Sequence, residues 1–191
     1  MLFRSKYLES SSASIGLVPL AVGGSPLSEW EPTGSFYAKT IAACEEIQKS
    51  HRIVGVLWHQ GENDAIEEHL ALSYSSRLTD TIACLRAQLN LPDLPFVIGE
   101  LGYFLADIED RIPYHEEVNR QLHIVANSVK NVQIVSAAGL SHIGDHLHFD
   151  TDSLRKLGER YAANVLNWHY KVPPDTLQGT ILFHGLYGSI G

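Results

Sequence analysis

The sequence predicts an α/β fold: a flavodoxin-like three-layer α/β/α sandwich around a parallel sheet. Two observations predict the layered sheet. Short apolar runs alternate with amphipathic stretches along the 191 residues. The runs are apolar at consecutive positions rather than at every second one, as strands buried on both faces require. Strand–helix alternation of this kind closes into a sheet with helices on either side.

The elements follow in order. Ile15–Val22 reads as a buried strand ended by Gly23-Gly24. Phe36 to Lys49 places Ile41, Cys44 and Ile47 on one face, opposite Glu45, Glu46 and Lys49, which is a helical pattern. Ile53–Trp58 is the clearest strand, and Ala65 to Leu89 is expected as one long helix with Leu70, Tyr74, Leu78, Ile82 and Leu85 in a stripe. Pro95–Gly99 is a third strand, Tyr114–Val129 a helix, Val132–Ala137 a fourth strand and Ser153–Tyr170 a final helix stopped by Pro173-Pro174. Residues 1–172 are expected to form one hydrolase-like domain, and residues 173–191 a tail with an extra strand at Thr180–Phe183.

Composition narrows the function classes. Hydrophobic residues make up 45% and charged ones 19%, enough apolar material for a sizeable core. The formal charge of −8, from 22 acidic and 14 basic residues without a basic cluster, argues against nucleic acid as a partner. No apolar run is long enough to span a bilayer, and Met1–Ser14 lacks the apolar region of a signal peptide, so the cytoplasm is the default expectation. Cys44 and Cys84 lie in helix-like stretches and read as free thiols.

In an open parallel sheet, ligands bind beyond the carboxyl ends of the strands. The segments there are Gly23-Gly24-Ser25, then His59-Gln60-Gly61-Glu62-Asn63-Asp64, then Glu100, then the polar loop Ser141–Asp150. In the last loop Asp145 precedes His148 by three residues. That spacing suits a base and the carboxylate that fixes its tautomer, and equally suits two solvated loop residues. Asn63-Asp64 can cap the following helix. Gln60 and Glu62 have no such duty, and an amide held at a strand end is a candidate oxyanion donor. Gly23 and Gly24 serve either as turn formers or as backbone N–H donors to the same charge. A rival reading is a metal hydrolase using His59, Glu62, His142, His146 and His148. His51, His69, His115, His123 and His169 read as surface or packing residues.

These residues carry a resemblance. Ile15–Pro19 through Gly23-Gly24-Ser25 to Glu29-Trp30 resembles the second block of the sialate O-acetylesterase-like SGNH hydrolases. Trp58-His59-Gln60-Gly61-Glu62-Asn63-Asp64 is similar to their third block. Asp145-His146-Leu147-His148-Phe149-Asp150, with Leu157–Ala162, resembles their last. The resemblance implies hydrolysis of O-acetyl esters on sugars with neither a metal nor another cofactor. It assigns His148 as general base, Asp145 as its orienting partner, and Gly24 or Gly23 with Gln60 to the oxyanion hole. It gives Ser25, His59, Glu62 and Asn63 substrate-contacting or organising places.

The family opens with a strand ending in Gly-Gln-Ser-Asn, whose serine attacks the ester, and no such motif occurs here. The nucleophile is therefore unassigned, with Ser189 as a remote candidate, and a non-catalytic carbohydrate-binding module is the alternative function. The first strand normally sits inside the sheet, and each unpaired buried backbone group there costs about 1–3 kcal/mol. Three fillers of the slot are expected: the tail strand, a strand from a second copy in a homo-oligomer, or the rest of a longer protein. The expected ligand is a small-molecule or carbohydrate ester, with no membrane and no nucleic acid.

Overall fold

The computed structural model describes residues 2–10, 15–169 and 179–184. In order they form α1 (Leu2–Ser10), β1 (Ile15–Pro19), α2 (Ser35–Gln48), β2 (Ile53–Trp58), α3 (Glu68–Leu72), α4 (Tyr74–Gln88), β3 (Phe96–Gly99), α5 (His115–Ser128), β4 (Val132–Val135), α6 (Thr151–His169) and β5 (Gly179–His184). Short 3-10 turns cover Leu27–Glu29 and Tyr103–Ile108.

All strand pairings are parallel, in the order β1-β5-β2-β3-β4. The tail strand β5 therefore lies between β1 and β2, with Leu17 opposite Ile181 on one side and Leu57 opposite Phe183 on the other. Of the three expected fillers, the chain's own tail occupies the slot. Its backbone groups complete both neighbouring ladders.

Consecutive apolar residues in the strands divide between two helix layers, because successive side chains leave a strand on opposite faces. Val56, Trp58, Phe96 and Ile98 pack with Ile41, Tyr74, Leu78, Ile82, Val118 and Leu122 from α2, α4 and α5. Leu57 and Val97 face the other way, with Phe3 and Tyr7 of α1 and Leu157, Tyr161 and Val165 of α6. The three-layer sandwich follows directly from this partition.

Two local expectations change. The helix expected over Ala65–Leu89 is broken into α3 and α4 at Ser73, whose hydroxyl donates to the carbonyl of His69 at 2.7 Å. A serine side chain that takes up a helical carbonyl competes with the backbone ladder. Asn63 and Asp64 do not cap the following helix, since α3 starts after Glu67 without a side-chain cap. The helix α1 was not expected. Its signal was the i, i+4 pair Phe3 and Tyr7, both buried against α6 and β1.

Candidate active site

At the carboxyl rim of the sheet, the loop after β1 is fastened to the loop after β2 by side chains. Gly24 holds a left-handed backbone (φ 68°), open to glycine without strain. Its carbonyl accepts from Asn63 Nδ2 at 2.6 Å, and the Ser25 carbonyl accepts from Gln60 Nε2 at 3.0 Å. Gln60 Nε2 also donates to Asp64 Oδ2 at 2.7 Å, while Tyr74 donates its hydroxyl to Gln60 Oε1 at 2.8 Å. Both amide hydrogens of Gln60 are thus engaged, so in this structure the side chain braces two loops and presents no free donor. A primary amide has two N–H groups and no more.

Asp64 is the hub of this brace. It has no exposed surface, and accepts from the Leu27 N–H (2.7 Å), Gln60 Nε2 (2.7 Å) and Arg77 Nη1 (2.8 Å). Arg77 also bonds Glu31 at 2.6 Å. Ser25 is buried, donates to the Val22 carbonyl and accepts from Trp30 Nε1, both at 2.8 Å, so its hydroxyl serves the turn.

The loop after β4 builds the acid–base pair. Asp145 Oδ1 accepts the N–H groups of Leu147 and His148, each at 2.9 Å, while Oδ2 meets His148 Nδ1 at 2.6 Å. Burial acts to raise the Asp145 carboxyl. The His148 N–H, the His148 imidazole and the Leu147 N–H outweigh it and hold Asp145 well below the usual carboxylate range. An ionised Asp145 accepts the Nδ1 proton and leaves Nε2 of the exposed His148 ring free to take another. The loop is shaped by the pairing of His142 with Phe149 and by His146, which adopts a left-handed backbone (φ 58°).

His59 joins the two halves. Its ring lies edge-on to Phe149 at 5.6 Å, and Nδ1 sits 3.4 Å from the Tyr161 hydroxyl, which donates to the Trp58 carbonyl at 2.8 Å. Gly99 makes room for both: a Cβ there would stand 2.1 Å from the Tyr161 oxygen and 2.7 Å from His59 Nδ1. Glu100, also buried, accepts from the Ala137 N–H, Ser136 Oγ, Tyr103 and His123, and so ties the ends of β3 and β4 to α5.

The structure therefore brings Gly24, Ser25, Gln60 and Asn63 into one cluster and Asp145 and His148 into another. His59 and Phe149 lie between them. No hydrogen bond joins the two clusters among the described residues. Ser189 lies outside the described residues. The bracing roles of Asp64, Arg77, Tyr74 and Tyr161 escaped the sequence reading, since a network built from a loop and two helices has no linear signature. For the metal reading, Asp107, His142 and His146 form the only group of three or more among the described residues whose ligand atoms lie within 4.8 Å of one another. His142 Nδ1 already accepts the N–H groups of Gly144 (3.0 Å) and His146 (3.1 Å), which leaves the ring proton on Nε2. That nitrogen is a donor, so the set does not fit a cation.

A three-layer α/β sandwich with a carboxylate–imidazole pair at its strand ends has the framework of an α/β ester hydrolase. The family model described as "Carbohydrate esterase, sialic acid-specific acetylesterase" matches residues 1–167, and the chain belongs to that family. It is 36% identical over 164 residues to a probable carbohydrate esterase of Arabidopsis thaliana, covering 84% of this chain and 58% of that protein. A crystal structure of an Arabidopsis thaliana protein superposes with a TM-score of 0.78 at 33% identity, over 86% of this chain and 66% of the other. The crystal structure of a carbohydrate acetylesterase from Xanthomonas citri shares the fold, with a TM-score of 0.72 at 19% identity, over 88% and 40% of the two chains. The chain thus spans 58% of the length of the curated relative that it matches.

Proposed function

We propose that this chain carries the acid–base half of an SGNH-type, sialate O-acetylesterase-like site that hydrolyses acetyl esters of sugars. The observation that supports this reading is the 2.6 Å contact from His148 Nδ1 to an Asp145 carboxylate which is itself held by two backbone N–H groups. In the reaction, His148 Nε2 takes the proton of the attacking hydroxyl, and Asp145 stabilises the imidazolium that results. The N–H groups of the Gly23–Ser25 loop meet the developing oxyanion. Asn63 and Gln60 fix that loop by holding the carbonyls of Gly24 and Ser25. His148 then returns the proton to the leaving sugar oxygen, which leaves the acetyl group on the attacking oxygen. A water gives its proton to His148 and attacks that acetyl carbon, and the proton passes back to the nucleophile's oxygen as acetate leaves.

A second reading is a carbohydrate-binding module without turnover. It is favoured by one observation: among the described residues no hydroxyl hydrogen-bonds His148, whose ring is hydrogen-bonded by Asp145 alone. Acetate release from monoacetylated methyl glycosides separates the two. Hydrolysis predicts release by the wild-type chain and its loss in His148→Ala, with Ser189→Ala testing the remote nucleophile. Glycoside binding without acetate release establishes the second reading and refutes the first.

A further inference from the structure

One buried polar atom of the site has no partner. His59 is 6% exposed, and its Nε2 is the sole buried side-chain nitrogen or oxygen without a hydrogen bond among the described residues. Such atoms are rare in native proteins, and each calls for a reason, such as strain, a catalytic role, or a bound water or ion. The network fixes which form of the ring is present. The single hydrogen of the Tyr161 hydroxyl goes to the Trp58 carbonyl, so the contact from His59 Nδ1 to that oxygen requires the proton on Nδ1. Burial favours the neutral ring, against the opposing pull of Glu62. Nε2 therefore offers a lone pair.

A second acceptor stands close to that lone pair. Glu62 Oε1 stands 3.9 Å from Nε2, too far for a hydrogen bond, and the Glu62 carboxylate receives none from any described residue. Its side chain is 34% exposed. Beside the buried acceptor thus stands a partly exposed side chain that no hydrogen bond holds in place. Two acceptors side by side repel ester carbonyls and carboxylates, and accept donors.

We propose that His59 and Glu62 form a subsite for a free vicinal diol of a sugar ring, one hydroxyl donating to His59 Nε2 and its neighbour to Glu62. The inference rests on the reading of this chain as a protein that acts on sugar esters, and adds what that sugar must carry. The position suits the role, because Phe149, which follows the base His148, packs on the same imidazole. A diol acetylated at either oxygen loses one of the two donors, so the subsite favours sugars with both neighbouring hydroxyls free.

The test uses the full chain labelled with [15N]histidine, titrated with methyl glucopyranoside and with its 2,3-dideoxy counterpart, which has no vicinal ring hydroxyls. The expected result is a neutral His59 with its proton on Nδ1, whose bare Nε2 resonance moves with methyl glucopyranoside. The dideoxy compound should bind at least about tenfold more weakly, as the loss of a hydrogen bond to a charged acceptor implies. Glu62→Ala removes only a partly exposed, unbonded side chain, and should weaken methyl glucopyranoside by a similar factor. Equal binding of the two glycosides, a proton on Nε2, or unchanged binding in Glu62→Ala overturns the proposal. Turnover of p-nitrophenyl acetate, which has no hydroxyl, reports hydrolysis separately. Turnover without a glycoside response removes the subsite alone, and a glycoside response without turnover removes hydrolysis alone.

Discussion

Replacing Asp64 with alanine should destabilise the chain and loosen the rim together. The carboxylate is fully buried and serves three donors, from Leu27, Gln60 and Arg77. Without it the Leu27 N–H and one Gln60 N–H lose their acceptor, and the Arg77 guanidinium, whose side chain is 18% exposed, keeps only Glu31. Removing one partner of a buried ion pair costs about 3–5 kcal/mol, because the stranded charge remains desolvated. That is a large part of the roughly 5–15 kcal/mol that holds a domain folded. Equilibrium urea unfolding of the wild type, Asp64→Ala, Arg77→Met and the double variant measures it as a double-mutant cycle. The double variant should recover part of the loss, since it removes the stranded cation. A single variant within about 1 kcal/mol of wild type, or no coupling between the two positions, refutes the assignment of Asp64 as the hub.

Two further perturbations probe other parts of the rim. Gly99→Ala drives a methyl group into the Tyr161 oxygen and the His59 ring. Overpacking of about 1–3 kcal/mol and a broken buried bond to the Trp58 carbonyl of about 1–3 kcal/mol give a lowered urea midpoint. A midpoint equal to wild type contradicts the close approach. For Glu100, burial acts to raise the carboxyl, but the Ala137 N–H, His123, Ser136 and Tyr103 outweigh it and lower it from the ordinary 4.5. A depressed folded value adds stability that is fully present above the unfolded value, and that is lost as pH falls through the folded one. Urea midpoints between pH 6 and pH 3 should fall more steeply for the wild type than for Glu100→Gln, from that ordinary value of 4.5 downward; parallel curves contradict this.

The layers were legible because they depend on local pattern. Ile53–Trp58 is apolar at every position, and Val56 and Trp58 do enter one layer while Leu57 enters the other. The rim segments were legible for the same reason, since strand ends mark them. What the sequence hid is coupling at a distance. Gln60 reads as a free amide until Ser25 and Asp64 are seen to take both of its hydrogens. Ser73 reads as one more helical residue until its hydroxyl is found on the His69 carbonyl. The tail strand carried a strand pattern, but only the sheet order shows that it runs between β1 and β2.

The central claim is that His148, oriented by Asp145, is a base aimed at an ester from the carboxyl rim of this sheet. The most direct measurement is kcat/KM for p-nitrophenyl acetate against pH, for the wild type, Asp145→Asn and His148→Ala. A wild-type rate that rises with pH through one inflection to a plateau, as a base active only when unprotonated requires, with a loss of about 10²–10⁴-fold in both variants, is the predicted result. Hydrolysis that persists at the wild-type rate in His148→Ala contradicts it.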